Sequence, residues 1–227
     1  MEKEINDIIS YVHGQKRTTL SEYEGAKLLI HSGMPMAKAI LAGDLADIKS
    51  AAKEIRYPVV LKACSAEVSH KTEKGLVAVN LDSEAALEAA FEKMSGLFSV
   101  NKGEFLVQEM IKGSRELVIG MIRDPQFGPC IMFGLGGIFT ETMGDVTFRP
   151  APINESDAEE MIEEIKGRKI LDAVRGMPAV DIDSLIHCLM VMNKLALGHE
   201  NIEAIDINPL IIRGNKPFGV DALVILR

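Results

Sequence analysis

The stretch Ile205-Asp206-Ile207-Asn208-Pro209, followed by the turn Arg213-Gly214-Asn215-Lys216 and then by Val220-Asp221-Ala222, decides how this chain is read. A two-residue Gly-Asn loop between apolar runs is a hairpin signal. With Gly214 and Asn215 as the loop, Arg213 pairs with Lys216, and the register carried back sets Asn208 opposite Asp221. Asp206 then lies two residues along the same face, because strand side chains alternate. The other face carries Ile205, Ile207, Pro209 and Ile211 against Phe218, Val220, Ala222 and Val224, and is expected to be core. Two carboxylates and an amide backed by a dry sheet suit a hard cation such as Mg²⁺, which takes one or two carboxylates together with phosphate oxygens and water. Asp206, Asn208 and Asp221 are therefore the candidate metal ligands.

With 227 residues, 47% of them hydrophobic, the chain can bury a core sufficient for one large domain or two lobes. Its 25 Lys and Arg against 33 Asp and Glu give a net charge of -8, the wrong sign for a protein whose affinity comes from neutralising nucleic-acid phosphates. Any phosphate it holds must be gripped locally. The opening Met1-Glu2-Lys3-Glu4 has no apolar signal core, and no apolar run approaches the roughly 18 residues of a membrane span, so a cytoplasmic location without membrane attachment is expected. Cys64, Cys130 and Cys188 are odd in number and far apart, which leaves neither a disulfide framework nor a Cys-x-x-Cys metal site. They read as small buried hydrophobes.

Along the chain, residues 1–18 form a short polar helical extension that precedes the main body and is expected to pack on it or on a partner. Ser21-Glu22-Tyr23-Glu24 reads as a capping box opening a helix that Gly33 stops. A first lobe of strands alternating with helices spans 19–111: a strand near Ala37–Leu41, a helix begun by Asp44, strands at Pro58–Cys64 and Gly75–Leu81, an amphipathic helix at Ser83–Phe98, and a strand at Glu104–Ile111. The second lobe, 112–227, is α+β, with long strands at Arg115–Arg123 and Pro129–Leu135, a polar loop over Gly136–Pro152, helices near Glu155–Lys166 and Asp181–Gly198, and the closing hairpin. A ligand cleft between two such lobes is the common arrangement.

Lys62 closes Pro58-Val59-Val60-Leu61-Lys62, and an amine in such a strand is costly unless it snorkels or meets an anion. Alone it reads as snorkelling; beside a carboxylate and Asn cluster, a nucleotide phosphate is the better explanation. Ser65-Ala66-Glu67-Val68-Ser69-His70-Lys71-Thr72-Glu73-Lys74-Gly75 is too polar to pack. It reads either as a solvated hairpin tip or as a cover over a phosphoryl group, with the His70 imidazole as nucleophile and Lys71 or Lys74 stabilising charge. Gly134-Leu135-Gly136-Gly137-Ile138-Phe139-Thr140-Glu141 lacks dinucleotide spacing, yet Gly136 and Gly137 allow an anion to approach the backbone. Arg149 is a candidate second cationic grip, or an ordinary surface arginine. Glu109, Met110 and Glu116 bracket the lobe junction, where carboxylates suit a nucleotide's amino and hydroxyl groups. The other histidines, His13, His31, His187 and His199, read as helix-surface residues. Hydrolase, zincin and P-loop signatures are missing.

Taken in order, the Val-Val-Leu-Lys strand, Ser69-His70-Lys71-Thr72-Glu73-Lys74-Gly75, Val107-Gln108-Glu109-Met110, Gly134–Glu141 and Ile-Asp-Ile-Asn-Pro with Asp221 resemble the ATP-grasp domain of NDP-forming acyl-CoA synthetases. The likeness is greatest to β subunits of ADP-forming acetate–CoA ligases and covers about residues 18–227. It implies an ATP-grasp fold of two lobes with the nucleotide between them, and a subunit that moves a phosphoryl group between phosphohistidine and ADP/ATP. With an α subunit, the overall reaction would be acyl-CoA, ADP and phosphate to acid, CoA and ATP, reversibly. By matching motif positions, Lys62 would meet phosphates, Glu109 and the adjoining backbone the adenine, and Glu116 the ribose. Asp206, Asn208 and Asp221 would hold Mg²⁺, and His70 would carry the phosphoryl group. The companion α subunit would supply a CoA-binding domain and its own phosphohistidine, in an α₂β₂ heterotetramer. Asp206 stands where many ATP-grasp proteins have Glu. The His70 loop replaces the glycine- and arginine-rich loop of succinyl-CoA synthetase β chains, the nearest enzymatic alternative; a non-catalytic nucleotide-binding regulatory subunit is the alternative of another class.

Overall fold

The computed structural model describes residues 2–65, 75–98, 103–137, 144–174 and 176–227. In chain order the elements are α1 (Glu2–Gly14), α2 (Glu22–His31), β1 (Ala39–Ala42), α3 (Leu45–Ile55), β2 (Val59–Cys64), β3 (Val77–Leu81), α4 (Glu84–Ser95), β4 (Glu104–Glu109), β5 (Glu116–Asp124), β6 (Gly128–Leu135), β7 (Val146–Pro150), α5 (Glu155–Glu164), a 3₁₀ turn (Arg168–Leu171), α6 (Ile182–Gly198), β8 (Ile202–Arg213), β9 (Lys216–Gly219) and β10 (Leu223–Leu226). No helix among the described residues is long and apolar enough to cross a membrane.

Two compact units emerge, one of Ser21–Tyr23 with Ala37–Met110, the other of Met1–Leu20, Glu24–Met36 and Ile111–Arg227. The break after Met110 falls beside the expected 111/112 boundary, but the first-lobe span of 19–111 is divided. Residues 24–36 belong to the larger unit for identifiable reasons: Arg17 forks onto the Glu24 carboxylate at 2.7 and 2.9 Å, Leu28, Leu29 and Met34 join the larger core, and the Gly219 N–H donates to Pro35 O at 2.9 Å. The first helix packs on this unit, one of the two placements expected for it, with Ile5, Ile9 and Val12 of α1 buried in that core at helical spacing.

The smaller unit is a four-stranded sheet in the order β1-β4-β2-β3. Along the chain α3 lies between β1 and β2 and α4 between β3 and β4, and all its ladders are antiparallel. Asp44 and Ser83 cap α3 and α4 by accepting the N–H groups of Asp47 and Ala86. Those helices bury Ile48, Ala52, Leu87 and Met94 with Val59, Leu61 and Ala63 of β2 and with Phe105 of β4. The Phe105 ring meets Phe91 and Phe98 edge-on at 5.1 and 5.7 Å. Strand β2 is buried on both faces, so Lys62 has no route to snorkel.

The larger unit is a six-stranded sheet with the path β10-β8-β5-β6-β7, and β9 extends β8. One face, with Ile119, Met121, Ile131, Phe133, Ile205, Ile207 and Val224, is buried beneath α5 and α6. Asn154 and Asp157 form a reciprocal capping box at the start of α5. Buried Asn193 on α6 both accepts from and donates to the Ile153 backbone, at 3.0 and 3.2 Å. Residues 136–152, expected to be loop, contain the edge strand β7; its half-exposed, Arg- and Pro-bearing sequence carries little apolar alternation to reveal it.

Candidate metal and nucleotide site

The closing hairpin keeps the register that its Gly-Asn turn dictates. Arg213 pairs with Lys216, Ile212 with Pro217, Ile211 with Phe218 and Leu210 with Gly219; beyond a gap the same register resumes with Asp206 opposite Leu223 and Ile205 opposite Val224. In the gap the Val220 N–H donates to Pro209 O at 3.2 Å, so Asn208 and Asp221 stand at matching positions. The face assignment needs one correction. Ile205 and Ile207 are buried as expected, but farther on Leu210 and Ile212 are core while Ile211 and Phe218 are half-exposed. The cause lies in the neighbouring ladder, where Leu117 pairs with Leu210 and Ile119 with Ile207. Two residues, Asn208 and Pro209, thus oppose Val118, and this bulge turns the later side chains over.

Asp206 and Asp221 are half-buried and Asn208 is exposed. Burial raises the Asp206 carboxyl above its ordinary value, and the Asp221 charge raises it further. Asp221 Oδ1 accepts the Ala222 N–H at 2.9 Å. Two carboxylates that repel across a partly dry surface are the pair that a divalent cation relieves, so the donor set fits Mg²⁺. No group of three His, Cys, Asp or Glu side chains gathers among the described residues; the third member of this set is an amide.

The row across the sheet through Asp206 is Phe148, Met132, Gly120, Asp206 and Leu223. Gly120 belongs there because a Cβ would stand 2.6 Å from Ile205 O, so the backbone beside Asp206 comes close only to glycine. Farther along β5, Glu116, Gly136 and Gly137 form one cluster. The Gly136 N–H donates to Glu116 O at 2.8 Å, Gly137 has φ +63°, and a Cβ there would lie 2.6 Å from Glu116 Oε2.

Arg149 does not join this surface. It pairs with Ile131, whose row runs through Met121 to Ile205 on the helix-packed face, and its guanidinium binds Glu164 of α5 at 2.5 Å. An arginine on the opposite side of the sheet from Asp206 is a strut to α5, and the expected cationic grip is withdrawn. In the smaller unit, Glu109 closes β4 opposite Val59, with its N–H donating to Lys38 O at 2.8 Å, and Met110 follows half-buried. Lys62 has met an anion within its own unit: Nζ lies 2.6 Å from Glu22 Oε1. Sequence reading passed over Glu22, which sits 40 residues away inside an expected helix cap. His70, Lys71, Lys74, Thr140 and Glu141 lie outside the described residues. His187 of α6 has Nε2 3.0 Å from Gly33 O, next to the φ +94° turn that ends α2.

An ATP-grasp domain model matches residues 12–226. The β subunit of an ADP-forming acetate–CoA ligase II from Pyrococcus furiosus is 38% identical over the full length of both chains. An ADP-forming 4-hydroxybutyrate–CoA ligase from Nitrosopumilus maritimus is 39% identical over 90% of this chain, which spans only 30% of that longer relative. Among solved structures, the acetyl-coenzyme A synthetase 1 of Ca. Korarchaeum cryptofilum, in complex with coenzyme A and Mg-AMPPCP and with its phosphohistidine segment pointing towards the nucleotide-binding site, superposes with a TM-score of 0.87. It is 38% identical, covering 98% of this chain and 100% of that one. Mixed sheets and helices in two units, an acidic hairpin and a match over almost the whole length agree, and the chain belongs to the ATP-grasp family.

Proposed function

We propose that the chain is a cytoplasmic β-type subunit of an ADP-forming acyl-CoA synthetase, exchanging a phosphoryl group between His70 and ADP/ATP. The observation that carries this reading is the end-to-end match to an acetate–CoA ligase β subunit, combined with the Asp206, Asn208 and Asp221 surface. The relative solved with Mg-AMPPCP and a phosphohistidine segment supports the same ligands here. Asp206 and Asp221, with Asn208, would hold Mg²⁺, which when bound supplies positive charge against the β- and γ-phosphates. Lys62 would add its ammonium to those phosphates, while Glu109 with the Met110 backbone takes the base and Glu116, held by Gly136 and Gly137, a ribose hydroxyl. A His70 nitrogen attacks the γ-phosphorus in line as the bond to the ADP oxygen breaks, so catalysis is mostly positioning and electrostatics. The relatives named as β subunits support an α partner, which would supply the CoA-binding and acid-activating part in an α₂β₂ assembly.

The test is incubation of the chain with γ-labelled ATP and Mg²⁺, with and without that partner, alongside His70→Ala. Acid-labile label that vanishes in the variant is the expected result. Tight nucleotide binding with no label under either condition would instead make the chain a regulatory nucleotide-binding subunit.

A further inference from the structure

The buried charged side chains among the described residues are Glu22, Lys62, Arg115 and Asp145. Two of them serve the backbone. Arg115 donates to the carbonyls of Ile170, Asp172, Pro178 and Gly214, and Asp145 accepts the N–H groups of Lys166 and Gly167. Glu22 and Lys62 differ, because each meets a full opposite charge, with side chains only 2% and 8% exposed. A buried ion pair is seldom a fold's best route to stability, since an apolar pair of similar volume does as well or better. It is instead what a buried ammonium requires, an opposite charge within reach.

We propose that Glu22 is a positioning residue for Lys62: it anchors the ammonium in the nucleotide-free chain, and competes with nucleotide phosphate for it. The inference rests on the reading of Lys62 as a phosphate contact. Facing Lys62 across the sheet are uncharged Val77 of β3 and Leu106 of β4, with Glu104 next along that face opposite Cys64, and Glu22 is a carboxylate in direct contact at 2.6 Å. Competition is reciprocal: an anion that weakens the grip of Lys62 on phosphate is weakened by phosphate to the same degree. Removing the carboxylate therefore destabilises the free chain more than the bound one.

The test measures ADP and adenosine binding to the full chain by calorimetry, with melting temperatures, for native protein, Glu22→Gln, Lys62→Met and the double variant. Glu22→Gln should melt lower when free, yet bind ADP about tenfold tighter, with adenosine affinity unchanged. In the Lys62→Met background the same substitution should leave the ratio of ADP to adenosine affinity where it was. A purely structural glutamate would weaken both ligands alike. An unchanged or reduced ratio in Glu22→Gln overturns the proposal. Should Glu22→Gln not fold, Glu22→Asp, which keeps the charge with a shorter reach, must shift the ratio in the same direction, and no shift overturns the idea equally. If Lys62→Met leaves the native ratio intact, it is the assignment of Lys62 to phosphate that fails.

Discussion

At the residue scale, Asp206 is where folding and proposed binding pull in opposite directions. Burial and the Asp221 charge both disfavour its ionised form, so without a cation the carboxylate is a burden on the fold. Asp206→Asn should leave the metal-free chain at least as stable as native, because the repulsion with Asp221 is gone. The same variant should lose on the order of tenfold or more in Mg²⁺-dependent nucleotide affinity. Melting curves in a chelator and Mg²⁺ titrations of nucleotide binding check the two halves; a variant that is less stable without metal and unaltered in binding would make Asp206 structural. Residue type and spacing made this pair legible, because the Gly-Asn turn fixes the register of everything beside it. The partner of Lys62 was not legible, since nothing local in a strand names a carboxylate 40 residues earlier.

At the scale of elements, local signals held where one element sets its own geometry. Asp44 and Ser83 begin helices, and Gly33 turns the chain after α2. They failed where a second element decides. The turnover of faces at Asn208-Pro209 comes from Val118 on a strand far away in sequence, and β7 is a strand because β6 offers it an edge. The end of α6 shows a similar tertiary control. His199 caps that helix, its carbonyl accepts from Arg123 at 2.8 Å, and burial lowers its pKa, with Glu2 opposing and Lys194 adding to the shift. A depressed histidine pKa means that the unfolded chain binds the proton more readily. The stability it contributes is present above the ordinary value of 6.5 and is lost as pH falls through the depressed one. Denaturation midpoints followed from about pH 8 down to about pH 5 should therefore drop below about pH 6.5, and His199→Gln should flatten that drop. An identical slope in the variant would assign the acid sensitivity to another group.

At the scale of the whole molecule, each unit closes its own core: Phe105, Leu61 and Leu87 in one, Phe133, Ile119 and Leu189 in the other, with no buried residue common to both clusters among the described residues. Separate cores melt separately unless something joins them. Scanning calorimetry of the ligand-free chain should accordingly resolve two transitions. Under the proposed function, Lys62 and Glu109 of the smaller unit and Asp206, Asn208 and Asp221 of the larger would all serve the same nucleotide and its cation. A ligand that binds only when both are folded stabilises both by linkage, so saturating Mg²⁺ and ADP should raise the two transitions together and narrow the gap between them. Lys62→Met removes the smaller unit's charge from that bargain, and in it the ligand should raise the larger unit's transition while moving the other much less. A native chain in which nucleotide lifts one transition alone would mean that a single unit holds the ligand, and the division of labour between Lys62 and the acidic hairpin would have to be abandoned.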